Sequence, residues 1–109
     1  MEKLQNSEQF DWMLSNHDIL IAYFSGTKCA VCSALKPKID MLIGQQFPKV
    51  SIVEIETEKF PEIAARYNVF SIPVLLLFVE KREYLREARN VSLSDLSQKI
   101  EKIVNLFND

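Results

Sequence analysis

Glycine is almost missing from this chain, with only Gly26 and Gly44 among its 109 residues, and no repeat, low-complexity tract or linker breaks it up. One domain over residues 1–109 is the natural organisation, and with 48% apolar residues it is long enough to bury a core without cross-links. No apolar run approaches the ~18 residues that span a bilayer, and the opening "MEKLQNSEQFDWML" lacks the charged start and apolar core of a secretory signal. Neither charge sign dominates: 13 basic and 15 acidic side chains give a formal net charge of −2, with no long single-sign block. That balance gives no footprint for nucleic acid and no polybasic membrane patch, so partners are expected among proteins or small molecules. The expected location is the cytosol, where thiols stay reduced. There is one histidine, His17, and there are two cysteines, Cys29 and Cys32. In a reducing compartment such a pair points to catalysis or metal binding rather than to a structural staple.

The two cysteines stand three apart in "SGTKCAVCSALKP". Two cysteines scattered at random would show this spacing in about 2% of cases, so coincidence is a poor explanation. Spacing alone leaves a redox pair, half a metal site and two buried small hydrophobes all open.

The surrounding pattern alternates helices and strands. Ser7 is a candidate N-cap for a short helix carrying Phe10, Met13 and Leu14 on one face, with Trp12 at its flank. "ILIAYF" at residues 19–24 is a continuous apolar run of the kind found in a strand covered on both sides. From Cys29 to about Gln46, Val31, Leu35, Ile39, Leu42 and Ile43 recur at helical spacing, with Pro37 as an expected kink. "VSIVEIE" is a second strand, and Pro61 opens a short helix at its tolerated first position. "PVLLLFVE" is a third strand and "REYLREA" a half-exposed one hairpinned to it. Ser92 caps a last helix with Leu93, Leu96, Ile100, Ile103 and Phe107 on its core face. A short strand at residues 3–5 is a further candidate. The order is that of an α/β domain with a mixed four- to five-stranded sheet flanked by helices on both faces.

A Cys-x-x-Cys pair that opens a helix directly after a buried strand is a redox signature in its expected context. Together with Pro37 five residues after Cys32, the stretch "ARYNVFSIPVLLLF" and the closing amphipathic helix, it makes nearly the whole chain resemble the thioredoxin family. The resemblance implies a thioredoxin fold and thiol–disulfide exchange, with Cys29 as nucleophile, Cys32 as resolving thiol and Ile72–Pro73 as a cis-proline loop facing them. It also implies an apolar docking surface from Ala30, Val31, Ile72 and Pro73, where an extended substrate segment can pair with the Ile72 main chain. The chemistry of the residues agrees. A free cysteine of pKa about 8.5 is only about 3% ionised at pH 7, and the unpaired N–H groups at a helix N-terminus favour the thiolate. Cys32, one turn on, lies within reach of Cys29. A zinc site needs two more soft ligands, and the lone His17 sits in a loop ahead of the strand, which leaves only a site shared between two chains.

Several positions depart from the family pattern. Thioredoxins usually carry Gly-Pro between the cysteines and Trp before the first; here these are Ala30, Val31 and Lys28. The family's buried acid falls on Tyr23 and its lysine companion on Glu54. Either a carboxylate has moved across to the neighbouring strand, with Glu54 accepting the Cys32 proton, or Glu54 faces solvent at a strand end. The glycine before the last helix is replaced by Arg89 or Asn90, which favours acidic or otherwise specific partners, and the tight Asn-Gly turn of the last hairpin by a charged, solvated "EKRE" loop. The expected function is reduction of protein disulfides through a Cys29–Cys32 dithiol, with no bound cofactor or metal and a separate reductase as electron donor. The alternative is a non-enzymatic partner-binding or redox-sensing module on the same fold.

Overall fold

The computed structural model describes residues 1–88 and 90–107. In chain order its elements are β1 (Glu2–Lys3), α1 (Ser7–Asn16), β2 (Ile19–Ser25), α2 (Ala30–Gln46), β3 (Ser51–Glu56), α3 (Pro61–Arg66), β4 (Val74–Val79), β5 (Arg82–Ala88) and α4 (Leu93–Phe107). They form one five-stranded sheet in the order β1-β3-β2-β4-β5. β1 and β2 run parallel to β3, whereas β4 is antiparallel to both β2 and β5. Parallel neighbours need a crossover, and α2 supplies it between β2 and β3.

The apolar runs of β2 and β4 lie at the centre of the sheet because both of their faces are covered. Side chains alternate across the sheet, so each strand feeds two cores. On one side Phe24, Val53, Leu76 and Phe78 pack with Phe10 of α1 and Ile63 of α3. On the other, Ile21, Tyr23, Leu75 and Leu77 pack with Cys32 and Ile39 of α2 and Leu96 and Ile100 of α4. Each such side chain, fully buried, contributes about 1.5–3 kcal/mol of transfer free energy.

Three details differ from the sequence expectations. The cap of α1 is Asn6, whose Oδ1 accepts from the Gln9 N–H at 2.8 Å. Ser7 is instead the first helical residue, and its hydroxyl donates to Glu62 at 2.7 Å, tying α1 to α3. Both residues suit a cap, but only one can be extended and three before the bonded N–H, and Asn6 holds that conformation. Phe107 leaves the core stripe of α4; it is exposed and meets Tyr84 of β5 edge-to-face. The last hairpin keeps a tight two-residue turn without glycine. Val79 pairs with Arg82, and Glu80 and Lys81 between them adopt left-handed φ values of 49° and 73°. Ser92 caps α4 as expected, accepting at its hydroxyl from Asp95 and at its carbonyl from Leu96.

Candidate active site

β2 ends at Ser25, and a four-residue turn carries the chain to α2, whose N-cap is Cys29 itself. The cap role fixes the cysteine's geometry: its backbone is extended, and its Sγ accepts the Cys32 N–H at 3.2 Å. Cys32, in the first turn, is bonded to Cys29 as a disulfide, with 5.2 Å between their Cα atoms. The two sulfurs are not equivalent. Cys32 is only 2% exposed, whereas Cys29 is half-buried at the rim. Cys29 is therefore the more accessible of the two to a partner molecule.

The floor of the site is polar. Tyr23, in the middle of β2, donates its hydroxyl to the Cys32 carbonyl at 2.8 Å and so ties the first turn of α2 to the sheet. Burial, with the charge of Glu54 added, pushes its phenol up to about 12. Tyr23 is a neutral tether at physiological pH, not a substitute acid.

Glu54 stands opposite Tyr23 in the β2–β3 register. It is buried, which rules out the solvent-facing alternative. Its carboxylate accepts from Lys36 Nζ at 2.6 Å and from the Ser25 hydroxyl at 2.7 Å. Burial works to raise its pKa, but the Lys36 and Ser25 hydrogen bonds and the charges of Lys36 and Lys3 outweigh it and hold the carboxyl below its ordinary value. Two residues on, Glu56 is likewise buried and faces Lys59 at 3.3 Å and Lys3 at 3.6 Å. Glu54 and Glu56 share with Cys32, Ser33 and Lys36 a half-open cavity of about 290 Å³. An ionised carboxylate thus lines the same cavity as the inner cysteine. Lys36 was not singled out in the sequence, although it lies one turn beyond Cys32 on the same helix, and its spacing was the available signal.

The rim is closed by two loops. Ile72–Pro73 is a cis peptide, with Pro73 buried and Ile72 partly exposed. Ile72 rests on the turn before Cys29: a Cβ added to Gly26 would lie 2.6 Å from Ile72 Cδ1 and 2.7 Å from Glu58 Oε1. The two side-chain tips thus meet over Gly26, where a larger residue would have to push them aside. Glu58 then accepts from the Thr27 N–H at 3.0 Å and its hydroxyl at 2.6 Å, and these bonds hold its carboxyl below the ordinary range. Neither Glu58 nor Thr27 stood out in the sequence, because their pairing joins loops 31 residues apart.

Ala30 and Val31 are exposed on the first turn of α2, beside the cysteines. Val31 also lines a hollow with Lys38, Asn90 and Val91. Arg89 lies outside the described residues. Among the described residues no three His, Cys, Asp or Glu side chains converge as metal ligands, and His17 is engaged with Ser51 at 3.0 Å. No helix among them is long and apolar enough to cross a membrane.

Comparison with known proteins gives a consistent result. The family profile described as Thioredoxin matches residues 2–102. A thioredoxin-like protein of Bacillus subtilis, YdfQ, is 34% identical over 107 residues, covering 98% of this chain and 95% of that protein. The thioredoxin of Chlamydia trachomatis is 30% identical over 94% of this chain and 96% of its own length. The chain spans 58% of the longer chloroplastic thioredoxin Y1 of Arabidopsis thaliana, at 30% identity. Among solved structures, oxidised mitochondrial thioredoxin 3 of Saccharomyces cerevisiae superposes with a TM-score of 0.82 over 94% of both chains, at 24% identity.

Proposed function

This chain belongs to the thioredoxin family of thiol–disulfide oxidoreductases, and on that premise we propose that it works in the reducing direction on protein disulfides. The observation that carries the reading is the asymmetry of the pair: an approachable Cys29 at a helix N-cap, backed by a buried Cys32.

In the reduced protein, the Cys32 N–H that meets Cys29 Sγ and the start of α2 favour the Cys29 thiolate. That thiolate attacks one sulfur of the substrate disulfide. A Cys29–substrate S–S bond forms, the substrate S–S bond breaks, and the departing thiolate takes a proton from water. Cys32 then gives up its proton and attacks Cys29 Sγ. The Cys29–Cys32 bond forms, the mixed disulfide breaks, and the second substrate thiol leaves protonated. Two electrons have passed from the dithiol to the substrate, and a separate reductase returns them.

Glu54 is the proton acceptor in the second step, a role supported by its ionised carboxylate in the cavity it shares with Cys32. Lys36 keeps it ionised and, by the same interaction, makes it a weaker base. Ala30, Val31, Ile72 and Pro73 receive the substrate. The main-chain N–H and C=O of Ile72 enter no hydrogen bond with another described residue, which suits them to pair with an extended segment. The working compartment is the cytosol, whose reducing poise matches a dithiol donor.

Reductant-coupled turnover of a model protein disulfide tests the reading. We expect turnover by the wild type that Cys29→Ser abolishes. Absence of turnover in the wild type would leave a binding or redox-sensing module instead.

A further inference from the structure

The sequence pattern pointed toward acidic partners, yet the surface on the Ile72 side of the redox centre carries a different chemistry. Phe70 is 83% exposed, more than any other large apolar side chain described. An isolated exposed phenylalanine needs no explanation; this one sits two residues from Ile72 in the loop that closes the active site.

The loop holds Phe70 outward by construction. Asn68 takes a left-handed φ of 56°, which turns the chain so that Val69 enters the core and Phe70 leaves it. Arg86 of β5 clamps the loop from behind, donating to the Tyr67 carbonyl at 2.5 Å and the Asn68 carbonyl at 3.3 Å. Glu83 in turn fixes the guanidinium through two contacts of 2.9 Å. The ring is thus displayed on an anchored backbone, and ordering it for a partner costs little entropy.

At its base lies a pocket of about 150 Å³ lined by Thr57, Val69, Phe70, Ser71 and Ile72. A hollow of that volume, open to solvent and walled by Val69, Phe70 and Ile72 beside the hydroxyl residues Thr57 and Ser71, has room for a group about the size of benzene. No charged side chain lines the pocket, although 26% of the chain is charged. Of the flanking charges, the Glu58 carboxylate packs beside Ile72 against Gly26, while the Arg86 guanidinium is already engaged by Glu83 and by the Tyr67 and Asn68 carbonyls. An acidic side chain placed here would lose water and find no cation in the lining.

We infer that Phe70 and this pocket form a side-chain subsite that selects protein disulfides with a bulky apolar residue flanking the cysteine that Cys29 attacks. The inference rests on the reductase reading and names its substrate class. The occupant follows from continuity: Ile72 belongs both to the pocket wall and to the rim of the redox centre, so a segment that presents its disulfide to Cys29 passes over the pocket.

The test uses disulfide-containing peptides of equal length with Leu or Asp at the positions flanking the reacting cysteine, alongside a small aromatic disulfide. The wild type should favour the Leu peptide by about 30-fold in kcat/KM, within the range that one apolar contact can supply. Phe70→Ser should reduce that ratio to about threefold or less, and Phe70→Leu should restore most of it. Because Phe70 is exposed, thermal unfolding of both variants should match the wild type, which keeps the comparison valid. A wild type that reduces both peptides equally, or a ratio unchanged in Phe70→Ser, overturns the subsite and leaves the reductase reading standing. A wild type that reduces neither the peptides nor the small disulfide overturns both.

Discussion

On the α1/α3 side of the sheet the buried layer is apolar throughout, with Phe10, Phe24 and Phe78 at its centre. On the α2/α4 side the same strands bury Tyr23, Ser25, Glu54 and Glu56 toward their C-terminal ends, beneath the cysteines. Among the described residues each buried side-chain polar atom there has a partner, so hydrogen bonds and ion pairs offset the cost of burial. The difference separates two tasks. One face carries stability, and the other keeps a charged, tunable floor under a buried thiol.

That division predicts effects of different kind and size. Phe24→Ala, on the apolar face, should cost about 3–5 kcal/mol in chemical denaturation while leaving the pH dependence of thiol exchange unchanged. A shifted pH profile in the surviving folded protein would break the division. Glu54→Gln should do the reverse: resolution of the mixed disulfide should slow about 100-fold near neutral pH, the lower range for loss of a general base. Lys36→Met removes the cation that holds Glu54 down, so burial then raises its carboxyl and the rise of the resolution rate should move to higher pH.

The Glu54 carboxyl also leaves a mark on stability. Its folded-state pKa lies below the unfolded value of about 4.3, so the unfolded state takes up the proton first on acidification. The stabilisation is complete above that unfolded value and is lost as pH falls through the folded one. Denaturation midpoints between about pH 3 and 6 should therefore slope less in Glu54→Gln than in the wild type. The smallest effect lies at the far end of the sheet. Replacing Glu80 by Asn and Lys81 by Gly should stabilise the protein by roughly 1–2 kcal/mol, since both positions need a left-handed backbone, and turnover should not change.

Much of this was legible in the sequence. The apolar runs at Ile19 and Val74 announced doubly covered strands, and Cys-x-x-Cys at a strand-to-helix junction announced the redox centre. What escaped notice depends on contacts between distant segments. Glu54 is legible as a candidate, but the choice between a proton acceptor and a solvent-facing side chain is made only when Lys36 and Ser25 are brought to it. Glu58 and Thr27 stand 31 residues apart and meet only in the fold, beside Gly26 and Ile72. The "EKRE" turn reads as a charged, solvated loop because its residues lack the usual preference for a left-handed backbone; strand pairing on either side imposes that conformation regardless.

The central claim is that burial assigns the two cysteines different roles, and limited alkylation of the reduced protein near neutral pH tests it directly. Mass spectrometry should find the label on Cys29 with Cys32 spared, and Cys32→Ser incubated with a disulfide substrate should accumulate a covalent adduct on Cys29. Equal labelling of both thiols, or an adduct forming as readily on Cys32 in Cys29→Ser, would contradict the account.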